Sequence, residues 1–210
     1  MTADRASELP IFELPIVLLP GELVPLHIFE ERYKRMIARS LDNGDPIGIV
    51  FRDETGGARN VGCTAQVADV LERFDDGRMN IVVAGESPFR VLDRADAPEF
   101  PVGEVELIDI EEEPEPDDVE AARGARTAFA ELLEQVSQEE EAGTIGDEGS
   151  YELAGRIELP ADTKQRLLEL RSEDERMRLL ERALRTVAEA VRRSQRVAEL
   201  ARSNGTFPAR

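Results

Sequence analysis

The chain has one cysteine (Cys63), one histidine (His27) and no tryptophan. A lone cysteine excludes an intramolecular disulfide, and one cysteine with one histidine cannot build a usual structural zinc site. Lysine is nearly absent as well: among 26 basic residues only Lys34 and Lys164 are lysines. Chemistry that needs a lysine therefore has two candidates. The dipeptide Gly-Lys does not occur in the 210 residues, which excludes a G-x-x-x-x-G-K-[ST] phosphate loop from them. No run approaches the roughly 20 apolar residues of a membrane span, and Met1 to Glu8 carries no secretory pattern. Positive charge is scarce, with a formal net charge of -19. Such a molecule repels phosphate backbones and acidic membrane surfaces. The expectations are a cytoplasmic protein, no cofactor, no metal, no nucleic acid and no membrane.

What is present begins with a proline-punctuated apolar stretch, Leu9 to Phe29. Pro10, Pro15, Pro20 and Pro25 exclude a helix there and suit edge strands and kinked crossings. From about Glu30 the pattern turns helical, with Phe29, Tyr33, Ile37 and Leu41 four apart and Asn43-Gly44 as the stop. Pro46 to Phe51 reads as a short strand. Val61, Cys63, Ala65 and Val67 alternate as in a half-buried strand, and Asp75-Asp76-Gly77 is a hairpin signal. Met79–Ala84, Phe89–Leu92 and Val102–Ile110 complete about six short antiparallel strands with one inserted helix. That set predicts a small barrel or half-barrel.

Ten acidic residues and no basic one lie between Glu104 and Glu120, around Pro114 and Pro116, and read as a linker between two halves. A helix is expected from Asp117 or Asp118 to about Glu140, and a mobile acidic loop over Glu139–Gly149. From Tyr151 the pattern is helical. Pro160 interrupts it, and Ser172-Glu173-Asp174-Glu175 reads as a capping box opening a final helix of about thirty residues that stops at Asn204-Gly205.

The segment Pro20-Gly21, Pro25-Leu26-His27-Ile28-Phe29-Glu30 and Arg32-Tyr33 resembles the signature opening of the N-terminal substrate-recognition domain of the Lon proteases. Val61-Gly62-Cys63-Thr64-Ala65, Gly77 to Val83 with Gly85 and Phe89-Arg90-Val91, and Leu159-Pro160 with Lys164-Gln165 are similar to later blocks of that family, in the same order. The resemblance spans roughly residues 9–200. It implies a PUA-like pseudo-barrel followed by a helical subdomain, and a role in binding unfolded or tagged polypeptide. Nothing else in the 210 residues resembles the rest of a Lon protease, so the expectation is a recognition domain standing alone. A serine–lysine catalytic pair would need Lys34 or Lys164, and neither lies in a sequence like the protease active site, so no catalytic residue is expected.

The fold expected is α+β: a PUA-like β pseudo-barrel with one inserted helix, then a helical subdomain ending in a long helix. The boundaries are a disordered N-terminus over 1–8, the barrel over 9–113, the helical subdomain over 114–204 and a tail over 205–210. The function expected is a non-catalytic polypeptide-binding module, with a scaffold or adaptor for one protein partner as the alternative and RNA binding through the barrel behind it. Partners are unfolded or exposed polypeptide segments or a protein, and the chain is a monomer or homodimer. Leu18, Leu19, Pro20, Leu23, Pro25 and Phe29 are the candidate peptide-binding residues, because prolines that kink a crossing can leave neighbouring apolar side chains to line a groove. His27 is expected to be a core or strand-end imidazole held by a backbone carbonyl, and Cys63 a buried, inert thiol.

Overall fold

The computed structural model describes residues 7–110, 119–136 and 146–204. The expected disorder of the first residues, the centre of the acidic linker, most of the acidic loop and the tail lie outside these. Ser7 and Glu8 already belong to a strand.

Among the described residues six strands form one sheet: β1 (Ser7–Leu14), β2 (Leu23–Ile28), β3 (Ile47–Arg52), β4 (Ala58–Arg73), β5 (Met79–Asp96) and β6 (Pro101–Leu107). Helix α1 (Glu31–Asn43) is inserted between β2 and β3. The order is β2-β5-β4-β3-β1-β6, and β5 also pairs with β6. That last pairing closes β5, β4, β3, β1 and β6 into a ring and leaves β2 outside it as an appended edge. Two expectations are corrected here. Met79–Ala84 and Phe89–Leu92 are one 18-residue strand, whose first part serves β2 and whose second part serves β6. The sheet is also not wholly antiparallel, since β1 runs parallel to β3, with Ile11 opposite Gly48.

Local chemistry explains the turns. Gly44 ends α1 in the left-handed region at φ 73°, its N–H bonding the Ser40 carbonyl. Gly77, at φ 80°, closes the β4–β5 hairpin. Gly85 permits a close crossing: its N–H donates to the Glu22 carbonyl, and its carbonyl accepts from Gly21 N–H, both at 2.9 Å. A Cβ on Gly85 would stand 2.1 Å from the Leu19 carbonyl oxygen. Glu104 and Glu106, which fall both in the expected strand Val102–Ile110 and in the acidic run, are exposed positions of β6, alternating with buried Gly103 and Val105.

Strand β3 is buried on both faces. Val50 joins Leu9, Ile11, Phe89, Val91 and Val105 in a small cluster within the ring, while Ile47 and Ile49 face the main core. That main core runs without a break into the helices α2 (Val119–Val136), α3 (Ser150–Gly155), α4 (Ala161–Glu169) and α5 (Glu173–Asn204), through Phe129, Leu153, Leu168 and Leu184. The long α5 finds its neighbour in α2. Its start is organised by Glu173, whose carboxylate accepts from the Ser150 N–H (2.6 Å) and hydroxyl (2.7 Å) of α3 and from Arg176 Nε (2.9 Å). Arg176 is buried. It donates to the Leu170 and Arg171 carbonyls and lies over the Tyr151 ring, so its charge is fully engaged.

Candidate functional site

Strand β2 alternates in burial. Val24, Leu26 and Ile28 turn inward, whereas Leu23, Pro25 and His27 are exposed, followed by exposed Phe29. Leu23 is 64% exposed and Phe29 61%, which is high for apolar side chains of their size. Across the ladder Leu23 stands opposite Ala84, Pro25 opposite Val82 and His27 opposite Asn80. The period of two places Ala84, Val82 and Asn80 on the same outer face, each half-buried. Phe74, at the end of the β4–β5 hairpin, adds an aromatic ring 6.1 Å from that of His27, and Phe29 lies 6.0 Å from it on stacked planes. The result is an apolar, aromatic-edged surface on the one strand outside the ring.

His27 sits in the middle of that surface, at the penultimate position of β2; the expectation was a core or strand-end imidazole, and what is corrected is its backbone-carbonyl partner. Its partner is a side chain: Nδ1 donates to Asn80 Oδ1 at 2.6 Å, while Asn80 Nδ2 donates to Glu72 Oε2 at 3.0 Å. With the amide nitrogen engaged by Glu72, the amide oxygen must face the ring, and that fixes the proton on Nδ1.

The six residues singled out in the sequence fall into three groups. Leu23, Pro25 and Phe29 come together on the exposed face. Leu18 and Leu19 do not: they are 1% and 0% exposed and belong to the main core, so they cannot line a surface groove. The physical reason is the crossing at Gly85, which carries residues 18–22 over β5 and presses both leucines inward. Pro20 is half-buried at the start of that turn. Val82, Phe74 and His27 were missed as surface members, because only the β2–β5 pairing puts them beside Leu23 and Phe29.

The chemically tempting groups elsewhere are engaged. Lys34 Nζ donates to Glu31 Oε1 and to the Asp76 carbonyl, both at 2.8 Å, and Lys164 Nζ binds Glu22 Oε1. Cys63 is fully buried, and burial pushes its thiol up to about 12. Among the described residues there is no cluster of His, Cys, Asp or Glu arranged to hold a metal, and no helix is long and apolar enough to cross a membrane.

A closed ring with an outlying edge strand, backed by a helical layer, defines an α+β module. Residues 8–186 match the family described as the ATP-dependent protease La (LON) substrate-binding domain, and the chain belongs to that family. The family is the substrate-binding part of a protease and not its catalytic part. Lon protease 1 of Hydrogenovibrio crunogenus is 21% identical over 199 residues, which cover 87% of this chain and 24% of that protein. This chain thus spans about a quarter of the length of that relative. Two solved structures share the fold. The Lon N-terminal domain protein from Xanthomonas campestris has a TM-score of 0.62 at 23% identity, over 83% of this chain and 96% of that one. The N-terminal domain of the Mycobacterium avium complex Lon protease has a TM-score of 0.62 at 22% identity, over 85% and 98%.

Proposed function

We propose that this chain is a non-catalytic polypeptide-binding module that takes extended apolar segments of unfolded protein on the outer face of β2. The observation that carries the reading is the exposure of Leu23, Pro25 and Phe29 on one side of an edge strand, in a chain of a substrate-binding family. Apolar surface left in water at this density marks an interaction site, and an extended client can bury alternate side chains against it. Pro25 shapes the mode of docking. Proline is accommodated in sheets where its missing N–H faces away from the ladder, so the centre of the free β2 edge lacks a donor. Strand addition along that edge is thereby weakened, and side-chain burial on the face does the binding. Low sequence preference follows from such a mode.

A titration of reduced, alkylated lactalbumin tests this. Burial of Leu23 and Phe29 contributes about 2–3 kcal/mol, so the double change Leu23→Ser, Phe29→Ser weakens binding by about thirtyfold or more at unchanged Tm. Equal binding by the variant and the parent contradicts the reading.

A further inference from the structure

A second surface runs against the charge of the whole molecule. Helices α2 and α5 enclose a cleft of about 600 Å³ whose lining includes Arg123 and Thr127 from α2 and Arg178, Arg182 and Arg185 from α5. Four arginines thus converge on one cleft in a chain of net charge -19. They converge by helical spacing: 178, 182 and 185 fall on one face of α5, and 123 and 127 on one face of α2. Gly124 forms part of the floor. A Cβ there would stand 2.7 Å from Glu181 Oε2, so the glycine makes room for that carboxylate, which Arg185 holds at 2.8 Å. Glu120 and Glu181 also line the cleft and Glu131 acts on Arg185 from α2, so four guanidinium groups stand against three carboxylates.

We propose that this cleft binds a short run of acidic residues from another polypeptide, as an electrostatic subsite separate from the apolar face of β2. Guanidinium groups bind carboxylates through two parallel hydrogen bonds, and Arg178 to Arg185 extend about 10 Å along α5. Carboxylates two residues apart on an extended chain are about 7 Å apart, so successive ones can meet Arg182 on α5 and Arg123 on α2. A compact phosphate cluster would instead bring its full charge against Glu120 and Glu181. The attraction is electrostatic, so salt weakens it.

The test is fluorescence anisotropy of a labelled ten-residue Asp/Glu peptide in 20 mM NaCl, with a second titration in 300 mM NaCl. The charge reversal Arg123→Glu, Arg182→Glu weakens binding at least tenfold. The control Arg90→Glu, Arg166→Glu, which changes net charge equally at exposed positions outside the cleft, changes it less than threefold. High salt weakens binding to the parent protein. Binding of unfolded lactalbumin by Arg123→Glu, Arg182→Glu stays at the parental level, so loss of this subsite is distinguishable from loss of the apolar one. The proposal is overturned if the parent does not bind the peptide at low salt, if both double variants weaken it equally, or if inorganic tripolyphosphate binds more tightly than the peptide.

Discussion

Glu22 and Lys164 form an ion pair that ties the turn before β2 to helix α4, with Nζ and Oε1 2.5 Å apart and both side chains largely buried. The second oxygen of Glu22 accepts the Leu19 N–H at 3.0 Å, so one carboxylate fixes the crossing over β5 and joins barrel to helices. Its neighbours Gln165, which donates to the Val61 carbonyl, and Asp162, paired with Arg59, dock the same helix against β4. The geometry of the β2 face therefore depends on a contact between halves that are far apart in sequence.

Removing either partner leaves the other charge poorly solvated. Lys164→Ala is expected to cost about 2 kcal/mol, and Glu22→Ala about 3 kcal/mol because the Leu19 amide also loses its acceptor. In urea denaturation the double variant should fall short of the sum of the single losses by about 1–2 kcal/mol. Simple additivity would show that the pair does not couple the two halves.

The crossing makes a sharper demand at Gly85. An added methyl group meets the backbone carbonyl of Leu19, which cannot rotate away as a side-chain end could. Gly85→Ala should lose about 3 kcal/mol, a fall of about 6–12 °C in Tm for a chain of this size. Gly56, which has open space around it, is the contrast: Gly56→Ala there costs only the strain of its φ of 88°, about 1 kcal/mol.

Much of this was legible because it is local. The Asp75-Asp76-Gly77 hairpin, the Gly44 stop of α1 and the start of α5 after Ser172 each depend on a few adjacent residues, and each stands where the sequence puts it. The α+β class and the long last helix follow from hydrophobic periods. What stayed hidden is long-range. Gly85 and Pro88 look like a break between two strands, yet β5 continues through both, with Pro88 paired to Cys63. Leu18 and Leu19 look like Leu23, apolar residues within two positions of a proline. Their burial is decided by the crossing at Gly85 and by a core that reaches into the helices. The apolar neighbours of His27 leave core and strand-end placements both open, and the alternation of β2, which turns every second residue outward, decides between them.

The buried thiol gives a pH dependence with a definite sign. Burial raises Cys63 from its ordinary value near 9 to about 12, and likewise raises Tyr151 from 10.0 to about 12. Each folded-state value lies above the unfolded one, so the folded chain holds these protons more tightly. The associated stability is complete below pH 9 and is lost as pH climbs from about 9 towards 12, with a slope for each group of up to about 1.4 kcal/mol per pH unit. Denaturation midpoints between pH 8 and pH 11 check the direction. In the same range a maleimide should modify Cys63 only at the rate of unfolding; rapid modification of the native chain would contradict the burial.

Peptide capture on the outer face of β2 is most directly tested by replacing Pro25 with a photo-crosslinking amino acid and irradiating the protein with unfolded lactalbumin. Leu92, an exposed leucine on the later part of β5, serves as the comparison position. The account predicts strong, saturable crosslinking from position 25 that excess unlabelled unfolded protein competes away, and little from position 92. Equal yields at the two positions, or none at position 25, would contradict it.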